Sequence, residues 1–488
     1  MYDSPDAAGG DALTTRKTKI ICTIGPATSA PETVRELLLA GMDVARFNFS
    51  HGTHEEHARG IATVRAEARK LGREIAVIAD LQGPKIRTNG FPGGSIQLTR
   101  GAEVRIVLGE GDGGPGLITT KFAPLVRDSA VGDRILMNDG LLELRVVRKD
   151  ASELVCSVVH GGELKDRRGI NLPFVKLDVR AMTEKDVADA RFAIAQGVDF
   201  LALSFVRSAR DVFQLKDLVD EQTRPVQVIA KIEKPEAVED LEAILRAADA
   251  VMVARGDLGV EMGIEQVPGV QKRIIREALR HGIPVVTATQ MLESMIVSPR
   301  PTRAEASDVA NAVFDGTDAV MLSGETSTGK FPVEAVRTMA EIVEQAEQLP
   351  VFSNFDDWQI LDSSSGKLGM ALGKAARDFA EQMGAKALAC LSDTGNAAIR
   401  LTAQRPQIPV HMFSTRLDSV RRMSLVRGAY AILLEESLPP GRVFPMMEAL
   451  LVERGLVKAG DVVVYTAGIS MTHGVTTNTI HVRTTLRD

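Results

Sequence analysis

Cysteine is scarce: Cys22, Cys156 and Cys390 are the only three in 488 residues. An odd number of widely spaced thiols excludes a disulfide scaffold and a cysteine-held zinc site, and it favours reduced thiols in a cytoplasmic setting. No apolar run approaches the roughly 18 residues that span a bilayer, so no membrane partner is expected. No clustered basic stretch is present either. With a formal charge of -6 and a pI near 5.9, nucleic acid is not expected as a partner, because binding a phosphate backbone needs a basic face. Residues 1–15 carry Asp3, Asp6 and Asp11 among glycines and alanines, without a cationic start or an apolar core. They read as a loose N-terminal tail and not as a signal peptide.

What is present is the material of a large globular protein. The hydrophobic fraction is 44% and the charged fraction 25%, and the length predicts about three domains. From Lys19 a plan repeats: a short β-branched run, a turn, then an amphipathic helix. Lys19–Thr23 is the first strand, and Ser29 to Glu32 read as a capping box opening a helix that Gly41 stops. Val44–Phe47 and a helix from His54 to Leu71 follow, then a strand at Ile75–Ala79. From about Gly90 to Ile170 helices vanish and alternating runs appear at Glu103–Leu108, Arg134–Met137, Leu142–Val147 and Leu154–Val159. The first plan then resumes. Glu184 and Asp186 open a helix that stops at Gly197, and strands are predicted at Phe200–Leu203, Val226–Ala230, Ala250–Ala254, Pro284–Ala288 and Ala319–Leu322. Eight strands alternating with helices fit a parallel (β/α)8 barrel better than an open sheet.

The fold class expected is therefore α/β: a (β/α)8 TIM barrel of residues 16–89 and 171–348, an inserted small β-barrel lid at 90–170, and a C-terminal α/β domain at 349–488. That last region is predicted to hold a helix at Ala371–Gln382 and strands at Ala387–Leu391 and Val462–Tyr465. Trp358 lies in an acidic, serine-rich stretch that reads as the linker to it.

Chemistry concentrates where barrel strands end, because active sites of parallel α/β folds lie at the C-terminal ends of strands. Val228-Ile229-Ala230 empties into Lys231-Ile232-Glu233, and Val251 to Ala254 empties into Arg255-Gly256-Asp257. Glu233 and Asp257 are candidate ligands of a hard cation, most plausibly Mg²⁺, with positions left open for substrate oxygens. Lys231 alternates with Glu233 and leaves the same face of the strand. A surface ion pair is the competing reading of these charges. Arg46, Asn48 and Ser50 share one face at the end of the second strand, where an oxyanion or monovalent cation could be held. Asp80 to Arg87 end the third strand. Thr289 ends the seventh, as a hydrogen-bonding or proton-relay group or as a helix cap.

Taken together, this ordered set resembles the pyruvate kinase family. The resemblance runs from about Thr18 to Val482 and rests on Thr23-Ile24-Gly25-Pro26, Arg46 to Gly52, Lys231-Ile232-Glu233, Ala254 to Gly259, Ala288 to Met295, Pro299 to Glu305 and Leu322 to Thr326. It implies a phosphotransferase that passes the phosphoryl group of phosphoenolpyruvate to ADP, giving pyruvate and ATP. It further implies Glu233 and Asp257 on Mg²⁺ (or Mn²⁺), with Lys231 and Arg46 on the phosphoryl group. Gly256 and Asp257 N–H groups would take the substrate carboxylate, and Thr289 would assist proton delivery to the enolate carbon. Nucleotide would meet Thr23, Pro26, Asn48, His51 and Arg87, with Asp139 and Arg168 closing from the lid. Arg168 stands where a lysine is common in the family. The C-terminal domain would be regulatory and serve assembly into a homotetramer.

Two departures alter the expectations. The family's potassium-dependent members hold K⁺ with residues that here are Asn48, Ser50, Asp80 and the Leu81 carbonyl, beside a glutamate whose place is taken by Lys85. An ammonium can fill that positive role, paired with Asp80, so K⁺ is expected not to be required. In the C-terminal domain, Ser392, Thr394, Gly395 and Asn396 follow a predicted strand and only partly resemble the family's sugar-phosphate loop, because Asp393 adds a negative charge. A different sugar phosphate or a nucleotide is the expected effector, and an unregulated turn is the alternative. Two rivals remain: a barrel lyase that uses metal and lysine without Arg87 or the lid, separable by ADP dependence, and an inactive ligand-binding homologue.

Overall fold

The protein is represented by a computed structural model that describes residues 16–177, 179–222, 225–349, 367–436, 442–468 and 477–485. The expected tail and the stretch holding Trp358 lie outside these residues. β1 (Lys19–Thr23), β2 (Val44–Asn48) and β3 (Ala76–Asp80) are parallel neighbours, buried along nearly their whole length. Covering on both faces explains their continuous apolar runs. The helix after β2, His54–Lys70, begins with a reciprocal cap: Thr53 Oγ1 accepts the Glu56 N–H while Glu56 accepts the Thr53 N–H. The helix after β1, Pro31–Ala40, departs from expectation. Pro31 takes the first turn, so Ala30 occupies the cap with no side-chain bond, and Ser29 Oγ reaches the Pro26 carbonyl at 3.5 Å instead. Gly41 ends that helix at φ +122, its N–H on the Leu37 and Leu38 carbonyls.

The chain then leaves the barrel for a separate, curled sheet domain. β4 (Ser95–Leu98), β5 (Glu103–Leu108), β6 (Leu117–Thr120), β7 (Arg134–Met137), β8 (Leu142–Lys149), β9 (Glu153–His160), β10 (Gly162–Lys165) and β11 (Ile170–Asn171) form a six-stranded sheet ordered β11-β7-β8-β9-β5-β6 and a two-stranded sheet β10-β4. Both bury side chains in one core that includes Ile96, Leu98, Ile106, Leu144 and Leu164. Helix does not vanish from the segment: Ala123–Asp128 forms a short one, with a proline in its first turn and Leu125 and Val126 packed inward.

β12 (Phe200–Leu203), β13 (Gln227–Ile232), β14 (Ala250–Ala254), β15 (Val285–Ala288) and β16 (Ala319–Leu322) complete a closed parallel barrel in the order β1-β2-β3-β12-β13-β14-β15-β16. Inside it pack Ile21, Ile78, Ile229, Met252, Val286 and Met321, so the interior is a core and not a pore. Leu425, from the C-terminal region, is part of that interior cluster. A third sheet follows, of β17 (Ala387–Leu391), β18 (Val410–Ser414), β19 (Ala429–Leu433), β20 (Val462–Ala467) and β21 (Thr479–Thr484), ordered β19-β18-β17-β20-β21 with only β21 antiparallel. The helix Lys367–Gln382 precedes it. No helix among the described residues is long and apolar enough to cross a membrane.

Candidate active site

Parallel registry sets the site. Asn48 lies beside Asp80 across β2 and β3, and Lys231 beside Met252 across β13 and β14, so the last residues of several strands converge on one end of the barrel. There a cavity of about 90 Å³ is lined by Arg46, Asn48, Ser50, Asp80, Lys85, Ser204, Lys231, Asp257 and Thr289 among others. Lys231 is its centre. The ammonium lies 2.8 Å from Glu233 Oε1 and 3.2 Å from Asp80 Oδ1, and donates to Ser204 Oγ at 2.8 Å. Arg46 completes the group, with Nε and Nη2 each 2.8 Å from Asp80 Oδ2 and Nη1 donating to Thr23 Oγ1 at 2.8 Å.

These charges are buried, and their protonation follows from that. Burial alone would lower the pKa of Lys231, but Asp80 and Glu233 more than offset it and hold it above the ordinary lysine value. Burial likewise pushes Asp80 up, yet Lys231 and Arg46 hold it below the usual carboxylate range. For Glu233 burial wins: the carboxyl is raised, and nearby Asp257 pushes the same way against Lys231. Its Oε2 accepts the Phe205 N–H at 2.7 Å.

Lys85 does not pair with Asp80 as expected. Both Asp80 oxygens are taken, Oδ2 by Arg46 and Oδ1 by Lys231. Lys85 faces the cavity near Asp257, Glu233 and Asp80 without an ion pair among the described residues, and burial, then repulsion from Lys231, lower its pKa. Leu81 is buried, and its carbonyl accepts from Ser204 Oγ at 2.7 Å.

Asp257 belongs to the helix Arg255–Met262 that starts directly where β14 stops. Thr289, just beyond β15, reaches across: its Oγ1 accepts the Gly256 N–H at 2.8 Å and donates to the Ala288 carbonyl at 2.6 Å. That N–H, expected on a substrate carboxylate, is thus engaged by Thr289 here.

A wider cleft of about 430 Å³ opens between barrel and lid, lined by Lys85, Arg87, Asp139, Arg168, Asp257 and Glu261 among others. Its mouth is basic. His51 is exposed nearby, and burial together with Lys85, Arg87 and Arg46 lowers its pKa. Arg87 Nη1 donates to the Arg167 carbonyl at 3.1 Å, Arg168 N–H donates to Thr88 Oγ1, and Asp139 sits in the lid at φ +55. Thr23 is buried behind Arg46, and Pro26 is exposed beside the first barrel turn; neither lines the cavity or the cleft.

Ser392 to Asn396 lie apart, between β17 and the helix Asn396–Ala403. Their turn is closed on itself: Gly395, at φ +80, donates to Ser392 Oγ at 3.1 Å, and the Asn396 N–H points at Thr394 Oγ1 at 3.5 Å.

Sequence reasoning passed over Ser204, although it comes directly after the apolar run of a barrel strand, as Asp80 and Lys231 do. It read Glu325 only as part of the Leu322 to Thr326 stretch and gave it no role, whereas its buried carboxylate accepts the Leu292 N–H at 3.1 Å and the Ser323 N–H at 2.7 Å. No periodicity marks that residue, since its partners come from another loop.

Comparison with known proteins agrees with this geometry. The family described as pyruvate kinase, barrel domain, matches residues 15–336, and the one described as pyruvate kinase, alpha/beta domain, matches residues 370–483. A pyruvate kinase of Geobacillus stearothermophilus is 44% identical over 470 residues, covering 96% of this chain and 80% of the relative. One from Mycobacterium tuberculosis is 44% identical over 468 residues, covering 96% and 98%. A solved pyruvate kinase from Cryptosporidium parvum superposes with a TM-score of 0.89 at 34% identity, covering 97% of each chain. With barrel, lid and C-terminal sheet all accounted for, the chain belongs to the pyruvate kinase family of phosphotransferase enzymes.

Proposed function

We propose that the chain transfers the phosphoryl group of phosphoenolpyruvate to ADP, giving pyruvate and ATP. The observation that carries this reading is the buried Lys231, held between Asp80 and Glu233 at the base of a cavity that Arg46, Asp257 and Thr289 also line. Glu233 and Asp257 suit a divalent cation. They are hard oxygen donors, close enough that Asp257 raises the Glu233 pKa, a repulsion that a cation relieves. Among the described residues no group of three or more His, Cys, Asp and Glu side chains is placed to hold a metal ion, and two carboxylates leave room for substrate oxygens and water, as Mg²⁺ requires. Mg²⁺ or Mn²⁺ bound there would act as a Lewis acid on the substrate oxygens.

The chain's own residues do the remainder. Arg46, clamped by Asp80 and Thr23, offers a fixed guanidinium to the phosphate. Lys231 keeps its proton and presents a permanent positive charge to the phosphoryl group in transfer and to the enolate oxygen. Preorganised charge of this kind lowers a barrier by several kcal/mol, roughly. Thr289 Oγ1 borders the same cavity and would pass a proton through water to the enolate carbon. Arg87 and Arg168 in the cleft, with His51 nearby, would receive nucleotide phosphates, and Asp139 would close on them from the lid. Lys85 supplies the positive charge beside Asn48, Ser50, Asp80 and Leu81 that a bound K⁺ would otherwise bring, so activity is expected without K⁺.

The test measures pyruvate formed from phosphoenolpyruvate with Mg²⁺ in a potassium-free buffer, with and without ADP, for the parent and for Lys85→Glu. Full ADP-dependent activity in the parent, and a strong K⁺ requirement in the variant, is the expected result. Pyruvate released without ADP would overturn the kinase reading, and strong activation of the parent by K⁺ would overturn the role given to Lys85.

A further inference from the structure

The loop after β15 is held in a conformation its residues do not favour. Thr289 sits at φ +69 and Gln290 at φ +53. Left-handed backbone is disfavoured for any residue with a Cβ and most of all for a β-branched one, so the surroundings must impose it. Gly256 contributes through its N–H on Thr289 Oγ1. The larger brace is Arg255, the residue before it. Its Nε donates to the Ala288 carbonyl at 3.3 Å and its Nη2 to the Thr289 carbonyl at 2.8 Å, the two carbonyls that flank the left-handed Thr289 nitrogen and Cα. The same guanidinium is anchored from outside. Nη1 and Nη2 each lie 2.7 Å from an oxygen of Asp308, on the helix Arg303–Phe314, and Nη1 also donates to Gln271 Oε1 at 3.3 Å. Arg255 is 10% exposed in its side chain, so the fork is shielded from competing water.

We infer that Arg255 is a positioning residue: fastened to Asp308, it fixes the turn at Thr289 and thereby the direction in which the Thr289 hydroxyl meets the reacting carbon. This rests on the proton-delivery role given to Thr289 above. A planar five-donor fork suits the task, because it grips two successive carbonyls, both oxygens of Asp308 and Gln271 Oε1 at once, more partners than the three donors of an ammonium can serve.

The experiment is a double-mutant cycle of Asp308→Asn with Thr289→Ala in the full chain, read as kcat, KM for phosphoenolpyruvate and the Mg²⁺ concentration for half-maximal rate. Asp308 is on the helix Arg303–Phe314 and its side chain is 36% exposed, so its amide isostere is expected to leave the fold intact, as a matching unfolding curve would check. In the parent background Asp308→Asn should lower kcat about tenfold with both other constants within about twofold, since misplacement of a reacting group by about 1 Å costs up to roughly a hundredfold. In the Thr289→Ala background the same substitution should change kcat by less than about twofold, the non-additivity of groups that act through one another. Arg255→Lys, which keeps the charge and loses the fork, should reproduce the Asp308→Asn deficit. An equal loss of kcat in both backgrounds, or a raised Mg²⁺ requirement pointing to Asp257 instead, would overturn the inference. A Thr289→Ala enzyme with undiminished kcat would remove the reading of Thr289 itself, and the inference with it.

Discussion

Lys231 is the residue on which the site's electrostatics depend. Arg46 also neutralises Asp80, but among the side chains described only Lys231 pairs with Glu233. Removing one partner of a buried pair costs about 3–5 kcal/mol, because the other is left charged in a poor solvent. Lys231→Met should therefore abolish phosphoryl transfer and lower stability by roughly 3 kcal/mol in urea unfolding without divalent metal, with much of the loss recovered when Mg²⁺ binds the native state alone. Unchanged stability in metal-free buffer would show that Glu233 is held some other way. At this scale the alternation of Lys231 and Glu233, and of Arg46, Asn48 and Ser50, was legible from a strand's two-residue period. The Lys85–Asp80 pair was a misreading: chain order cannot say which of three nearby cations an aspartate takes, and Arg46 on the adjacent strand and Lys231 take one oxygen each.

Elements were legible where both faces of a strand are covered. β1, β12, β14 and β16 span the stretches expected of them, and in the lid β5 follows its alternating pattern while β7 is a short run of three buried apolar residues after Arg134. β21 was missed although Ile480 and Val482 alternate with His481 and Arg483: it is an antiparallel edge strand, half-exposed along its length, with only those two apolar residues to mark it. β18 was missed because His411 interrupts its apolar run. That histidine makes the element acid-sensitive. It is buried, its Nδ1 has no hydrogen-bond partner among the described residues, and burial pushes its pKa down to about 4. The nearest ring is Tyr430 on β19, with centroids 5.8 Å apart. Above the unfolded value near 6.5 both states are neutral and the group adds nothing. Between there and about 4 the unfolded chain binds the extra proton, so stability falls with pH by about 1.4 kcal/mol per unit. His411→Leu should accordingly be about 2 kcal/mol less acid-sensitive than the parent when urea unfolding at pH 7 is compared with pH 5. Equal losses in both proteins would mean that the ring is protonated in place.

At the scale of the whole molecule the C-terminal domain is fastened beneath the barrel, at the end opposite the catalytic cavity. Leu425 joins the barrel's interior cluster. Around it lie charges buried in the joint: Arg405 Nη2 is 3.0 Å from Asp318 Oδ2, and both side chains are 3% exposed or less. Asp318 also accepts the N–H groups of Val285 and Arg427, so one carboxylate ties β15, the turn before β16 and the C-terminal domain together. Glu347 adds a second tie, accepting the N–H groups of Lys17 and Thr18 and lying 3.7 Å from Arg427 Nε. Sequence alone could not show these, since Arg405 and Asp318 are 87 positions apart and nothing in either local pattern names the other. Because the joint is ionic and dry, it resists partial failure: an unpaired buried arginine costs more than the pair gains. Asp318→Asn leaves the shape unchanged and Arg405 without its counter-charge, so it should cost about 3 kcal/mol or more. The loss should appear at the joint. In calorimetry the parent is expected to unfold barrel and C-terminal domain together, and the variant to show an earlier, separate transition for the C-terminal domain while retaining barrel secondary structure. A single transition within about 1 °C of the parent would show that Leu425 and the apolar contacts around it hold the two domains together without Asp318, since even 1 kcal/mol shifts a melting point by roughly 2–4 °C at domain sizes of 150–250 residues.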